Sequence, residues 1–185
     1  RELCTQEFAL LGLEVDFLLV DPSPLGGKHG CLTSHVAALK KCLESDASLF
    51  FIFEDDVYFD YRELKGDLII PDDERNWCLS LGYFASTKAL KITENLSALR
   101  RAYCAHAYMV PRRTAEKLIT MTWDGAPYDI AWHKVIDVFY VPNPMIAFQR
   151  DHRSTGHKPW ISRIIETIRF RTIADICEFF ARYRL

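Results

Sequence analysis

The sequence predicts an α/β domain over residues 1–157, a mostly parallel central sheet flanked by helices, followed by a basic amphipathic helical tail over residues 158–185. Three observations carry that prediction. Short apolar runs alternate with helix-period segments along the chain, the pattern of layered α/β proteins. One run, Leu49-Phe50-Phe51-Ile52-Phe53, is apolar at five consecutive positions, as expected of a central strand of a parallel sheet buried on both faces. Finally, 185 residues with 49% hydrophobic and 13% aromatic content suffice for one real core, and no apolar run approaches the ~20 residues that span a bilayer.

Taken in order, residues 2–13 place Leu3, Phe8, Leu10, Leu11 and Leu13 at roughly helical spacing, with Gly12 suited to a helix end. Val15-Asp16-Phe17-Leu18-Leu19-Val20 reads as a strand stopped by Asp21-Pro22-Ser23-Pro24. A helix feeding directly into a strand implies a βα unit entered halfway, so a first strand is expected before Glu2 and is missing from the chain. Residues 25–31 form a glycine-rich loop, and residues 32–43 an amphipathic helix that Thr33 or Ser34 would cap. Backbone N–H groups at that helix entry suit an anion, although the loop lacks both of the common phosphate-loop spacings. The Leu49–Phe53 strand then runs straight into Glu54-Asp55-Asp56. Ligands in open α/β sheets bind beyond the carboxyl ends of strands, where an acidic cluster is placed to hold a cation; a solvated acidic turn is the bland alternative.

Further along, residues 77–82 read as a strand and residues 84–101, with no sustained period, as a surface excursion. A strand over 103–110, a helix from Pro111 through Met121, a short helix over 129–135 and a strand over 138–141 complete the domain. In the tail, Ile161, Ile164, Ile165 and Ile168, then Ile173, Ile176 and Phe180, recur at helical spacing between arginines. Such a helix covers its own domain, lies on a membrane surface or pairs with a second chain.

The charge is uneven. Residues 1–99 hold nine Lys+Arg against 17 Asp+Glu, whereas residues 100–185 hold 14 against eight: an acidic half suited to a cation and a basic half suited to phosphates or an anionic surface. Six cysteines without a C-x-x-C pair or metal-finger spacing read as buried thiols of a reducing compartment.

Four pieces in sequence, Gly27-Lys28-His29-Gly30-Cys31-Leu32-Thr33-Ser34-His35, Phe51-Ile52-Phe53-Glu54-Asp55-Asp56-Val57, Trp77-Cys78-Leu79-Ser80-Leu81-Gly82 and residues 107–118 from Ala107-Tyr108-Met109, resemble glycosyltransferase family 25, which includes lipooligosaccharide and procollagen galactosyltransferases. Pro127-Tyr128-Asp129, Tyr140-Val141-Pro142, Gln149 and Ser154 are similar to the family's closing segments. The resemblance implies a GT-A-like fold, a UDP-galactose or UDP-glucose donor, a divalent cation and inverting transfer to a hydroxyl of a glycan, lipooligosaccharide or hydroxylated protein. No nucleic-acid partner is expected. It also implies a cytoplasmic protein, peripheral to the inner membrane if the tail docks there, or one of the endoplasmic reticulum lumen if the source is eukaryotic.

The residue chemistry agrees with that implication, because a cation held by carboxylates neutralises a departing diphosphate. Along an extended chain Glu54 and Asp56 face one way and Asp55 the other. Oxygen ligands favour Mn²⁺ or Mg²⁺, so Asp56 and Glu54 are the expected metal ligands, with His157 or else His152 completing the shell or meeting the diphosphate. Gly27, Lys28, Ser34, His35, Glu54 and Asp55 are the expected donor contacts. For His35 the first reading is a buried hydrogen-bonding residue that fixes the loop, with donor contact the sharper alternative, and Cys31 is taken as packing. Asp129 is the first candidate for the base that activates the acceptor hydroxyl and Asp137 the second; a helix cap or surface charge is the alternative for each. The family's acid-bearing Gly-Glu-Ile-Gly-Cys is Gly27-Lys28-His29-Gly30-Cys31 here. That exchange and the missing strand motivate a rival reading as a non-catalytic binding module. A metal-dependent nucleotidyl or phosphoryl transferase is a third.

Overall fold

The structure is a computed structural model that describes residues 2–10, 12–60, 68–71 and 73–150. His152, His157 and the whole tail over 158–185 lie outside the described residues. The strands are β1 (Leu49–Phe53), β2 (Val57–Phe59), β3 (Trp77–Ser80), β4 (Phe84–Ala85), β5 (Leu90–Lys91), β6 (Leu96–Leu99), β7 (Ala102–Tyr103), β8 (Ala107–Pro111), β9 (Val138–Pro142) and β10 (Ala147–Gln149). The helices are α1 (Glu2–Leu10), α2 (Gly27–Leu43), α3 (Arg112–Leu118) and α4 (Tyr128–Ala131), the last continued by a 3₁₀ turn, Trp132–Lys134.

The central sheet has the order β1-β8-β3-β9-β6-β5. Among the described residues only β3 and β9 pair in parallel; the β1/β8, β3/β8, β6/β9 and β5/β6 pairs are antiparallel. The expectation of a mostly parallel sheet is therefore corrected. Its physical cause is legible in the burial. Phe50, Ile52, Cys78, Tyr108, Val110, Phe139 and Val141 face one core with Leu32 and Leu39 of α2. Leu79, Ala107, Met109, Val138 and Tyr140 face a second core with Cys4 and Phe8 of α1 and Val57 and Phe59 of β2. With both faces covered, antiparallel strands also become continuous apolar runs, and hydrophobicity no longer reports strand direction.

Among the described residues β1 pairs only with β8, so it is an edge strand rather than a central one. Its apolar run reflects two-sided cover: Phe50 and Ile52 are buried on one side, Leu49 and Phe53 pack on the other, and Phe51 stays 38% exposed against the Phe53 ring. Residues 15–20 are not a strand. They carry no regular secondary structure, with Leu13, Val15 and Phe17 packed on the second core and Leu18, Leu19 and Val20 exposed.

The glycine-rich loop is shorter than expected. Gly26, at φ 93°, is the last residue outside the helix, and residues 27–30 already form the first turn of α2, so neither Thr33 nor Ser34 is its cap. Both hydroxyls instead donate back to the Gly30 carbonyl. Residues 84–101 hold three short strands, and buried β6 sits inside the central sheet. The strand expected over 103–110 is broken into β7 and β8 around Cys104, whose φ is 77°. Helix α3 stops at Leu118 rather than Met121.

Candidate active site

The three carboxylates sit where β1 leaves the central sheet. Val57 N–H donates to the Glu54 carbonyl, closing a turn into β2, and β2 pairs with β10 so that Gln149 stands opposite Val57. Arg150 N–H donates to the Asp56 carbonyl and continues that ladder. The turn thus joins the large sheet to a small one, and Gln149 reaches across it. Its Nε2 donates to Glu54 Oε2 at 2.8 Å and lies 3.5 Å from Asp56 Oδ2. Glu54 and Asp56 are half-buried on this side, whereas Asp55 is exposed.

Glu54 is held from the other side by α2. That helix buries Leu32, His35 and Leu39, spaced to form one face over β1. His35 Nε2 lies 3.2 Å from Glu54 Oε1, and its Nδ1 lies 3.1 Å from the Tyr108 hydroxyl. The Tyr108 hydroxyl meets that of Tyr128 at 3.0 Å. The His35 ring stacks on Tyr128 with centroids 4.2 Å apart and planes 1° from parallel. The chain Tyr128, Tyr108, His35, Glu54 is consistent when each hydroxyl donates toward His35 and Nε2–H donates to the carboxylate.

The charges are tuned in opposite directions. Burial works against an ionised Glu54, but the hydrogen bond and charge of His35, with His106 and Gln149, outweigh it and hold this carboxyl below its ordinary range. Asp56 is pushed upward, by burial first and by the Glu54 charge second, against the Gln149 hydrogen bond. Its Oδ1 is buried and has no hydrogen-bond partner among the described residues. Such an atom is costly unless something else satisfies it. An unmatched carboxylate oxygen beside a second carboxylate fits a hard divalent cation.

His106, unnoticed in the sequence, closes the floor. Its carbonyl accepts Glu54 N–H at 2.8 Å and its Nε2 bonds the Ala147 carbonyl at 3.2 Å. Burial lowers its pKa, against that hydrogen bond and the Glu54 charge. A Cβ at Gly82 would stand 2.1 Å from His106 Nε2 and 2.2 Å from Ala147 O. Gly82→Ala is therefore expected to cost about 1–3 kcal/mol by overpacking, read as a lower thermal midpoint. Gly27→Ala, where a Cβ meets nothing within 4 Å, is the control expected to show no loss.

The other candidates divide clearly. Asp129, at the start of α4, is half-buried and accepts Cys104 N–H at 3.1 Å, which pins the left-handed Cys104. It is near enough to Cys31 to help burial and Glu54 push that thiol up to about 12. Asp137 is not brought to this place. It accepts two hydrogen bonds from Asn76 at the start of β3 and β9, the opposite edge of the sheet from Glu54. Gly27 and Lys28 stand exposed in the first turn of α2, and Ser34 spends its hydroxyl within that helix.

The family model described as glycosyltransferase family 25 (LPS biosynthesis protein) matches residues 25–132. The chain belongs to glycosyltransferase family 25. The match takes in α2, the Glu54-Asp55-Asp56 turn, β8 and Asp129, while Gln149, which braces the turn, lies beyond it. None of the curated proteins matches the chain. Among the described residues, no helix of the family 25 domain is long and apolar enough to cross a membrane.

Proposed function

We propose that this family 25 domain transfers a hexose, galactose or glucose, from a UDP-sugar to a hydroxyl of a glycan, lipooligosaccharide or hydroxylated protein, with inversion and with Mn²⁺ or Mg²⁺. The observation that carries the proposal is the buried, unpartnered Oδ1 of Asp56 beside Glu54. Asp56 and Glu54 would hold the cation, and Gln149 restrains both carboxylates so that they need little reorganisation. When bound, the cation supplies positive charge against the diphosphate leaving group.

The remaining roles fall to the chain's own groups. The free N–H groups of the first turn of α2, with Lys28, form an anion-attracting entry for donor phosphates. Asp129 is the base we favour for the acceptor proton, since it shares the Cys31 and Glu54 side of the sheet and Asp137 does not. His35 acts on the donor end through Glu54, as a positioning residue.

The test is hydrolysis of a panel of UDP-sugars by the full chain. Turnover of at least one UDP-hexose is expected with Mn²⁺, with loss on chelation and a fall on the order of 10²-fold or more in Asp56→Ala. Absence of binding and turnover with every sugar nucleotide would sink the enzyme reading and favour the non-catalytic module.

A further inference from the structure

The geometry points to a second cation site, for a thiophilic metal of the Zn²⁺ class, formed by Cys31, His35 and the Oε1 side of Glu54. It does not rest on the transferase reading. Cys31 and His35 are four residues apart on α2 and so project from one helix face. The end of β1 sets Glu54 against that face. The Cys31 Sγ, a His35 ring nitrogen and a Glu54 carboxylate oxygen all lie within 4.8 Å of one another.

Ligand atoms around a tetrahedral Zn²⁺ sit roughly 3.3–3.8 Å apart, given metal–ligand distances of about 2.0–2.3 Å. The trio needs to close by about 1.5 Å at most, within reach of side-chain adjustment. Thiolate, imidazole and carboxylate form a borderline-soft set, which selects Zn²⁺ or Co²⁺ over Mn²⁺ and Mg²⁺ and leaves a fourth position for water.

What distinguishes this trio from a chance grouping is the support behind His35. Metal-bound imidazoles characteristically hydrogen-bond through their other ring nitrogen. Here Nδ1 meets the Tyr108 hydroxyl, the ring stacks on Tyr128, and Nε2 is left aimed at Glu54 Oε1. Glu54 is likewise braced, by Gln149 on Oε2. Its two oxygens therefore address different partners: Oε1 faces the imidazole, and Oε2 faces the Gln149 amide. On binding, the Cys31 thiol gives its proton to solvent and the Tyr108 hydroxyl turns to accept from Nδ1–H, so affinity rises with pH.

Co²⁺ titration of the reduced full chain tests the site. An equimolar adduct with thiolate-to-Co²⁺ charge-transfer absorption in the near ultraviolet is expected, displaced by Zn²⁺. Cys31→Ser, a near-isosteric change whose folding is checked by thermal melting, is expected to abolish the band. His35→Gln should weaken Zn²⁺ binding by about 10-fold or more. Asp56→Ala should leave the band intact, which separates this site from the donor site. No band, a band that survives Cys31→Ser, or Zn²⁺ affinity unchanged in His35→Gln overturns the proposal.

Discussion

Asp56→Asn is expected to melt higher than the wild type while losing Mn²⁺-dependent turnover. The reason is the conflict inside the turn: a carboxylate that burial and the Glu54 charge both disfavour, with one oxygen lacking a partner. An amide of the same shape removes the repulsion and adds donors toward Glu54. The gain should be on the order of 1 kcal/mol, which for a domain of this size is about 2–4 °C. Differential scanning calorimetry in chelator, beside a UDP-hexose hydrolysis assay, reads both halves. The sign of the pH dependence follows. Because the Asp56 pKa is raised above the ordinary aspartate value of 3.8, Mn²⁺ affinity should be full well above that raised value and fall as pH drops through it. An Asp56→Asn protein that melts lower, or retains turnover, would contradict the assignment.

His35→Ala should be the most damaging single change to stability near the site, about 2–4 kcal/mol by denaturant unfolding. It empties the ring space stacked on Tyr128 and strips a hydrogen-bond partner from both Tyr108 and Glu54. His35→Gln should recover part of the loss by keeping a donor toward Glu54. Glu54 has a lowered folded pKa, so its contribution is fully present above its unfolded value near 4.5 and disappears as pH falls through the lower folded value. Removing His35 should move that acid limb upward in pH. His106, also lowered from the ordinary histidine value of 6.5, adds a separate loss below about pH 6.5, because the unfolded chain takes up the proton first.

The acidic turn was legible because an abrupt change from five apolar residues to three carboxylates marks the end of a strand, whatever its partners. The different settings of Glu54 and Asp55 were legible from alternation. His35 was legible from helix spacing and family-like context. Tyr108 and Tyr128 fall in family-like segments, but nothing in the sequence signals their roles. Tyr108 reaches His35 because β8 lies antiparallel between β1 and β3, and Tyr128 because α4 packs on α2; two-sided burial erases the signal of strand direction. His106 carried no signal beyond being a histidine in an apolar stretch. Asp137 offered an unused clue: it precedes a strand, whereas Glu54 follows one, so parallel strands would already have put them at opposite edges. Strand β6 was missed because Leu96-Ser97-Ala98-Leu99 is short and its neighbours are polar.

The smallest piece of sheet in the site has the largest leverage over it. Gln149 lies 95 residues from Glu54 in the chain and is held by a two-stranded ladder of three residue pairs, β2 with β10. A two-stranded unit of that length is only marginally stable by itself. Brief detachment of β10 would release the brace on both carboxylates while the six-stranded sheet stayed intact. Such an opening must also part the Ala147 N–H from the Leu81 carbonyl, and amide exchange at Ala147 and at Arg150, whose N–H donates to the Asp56 carbonyl, would report it separately from exchange in β8 and β9.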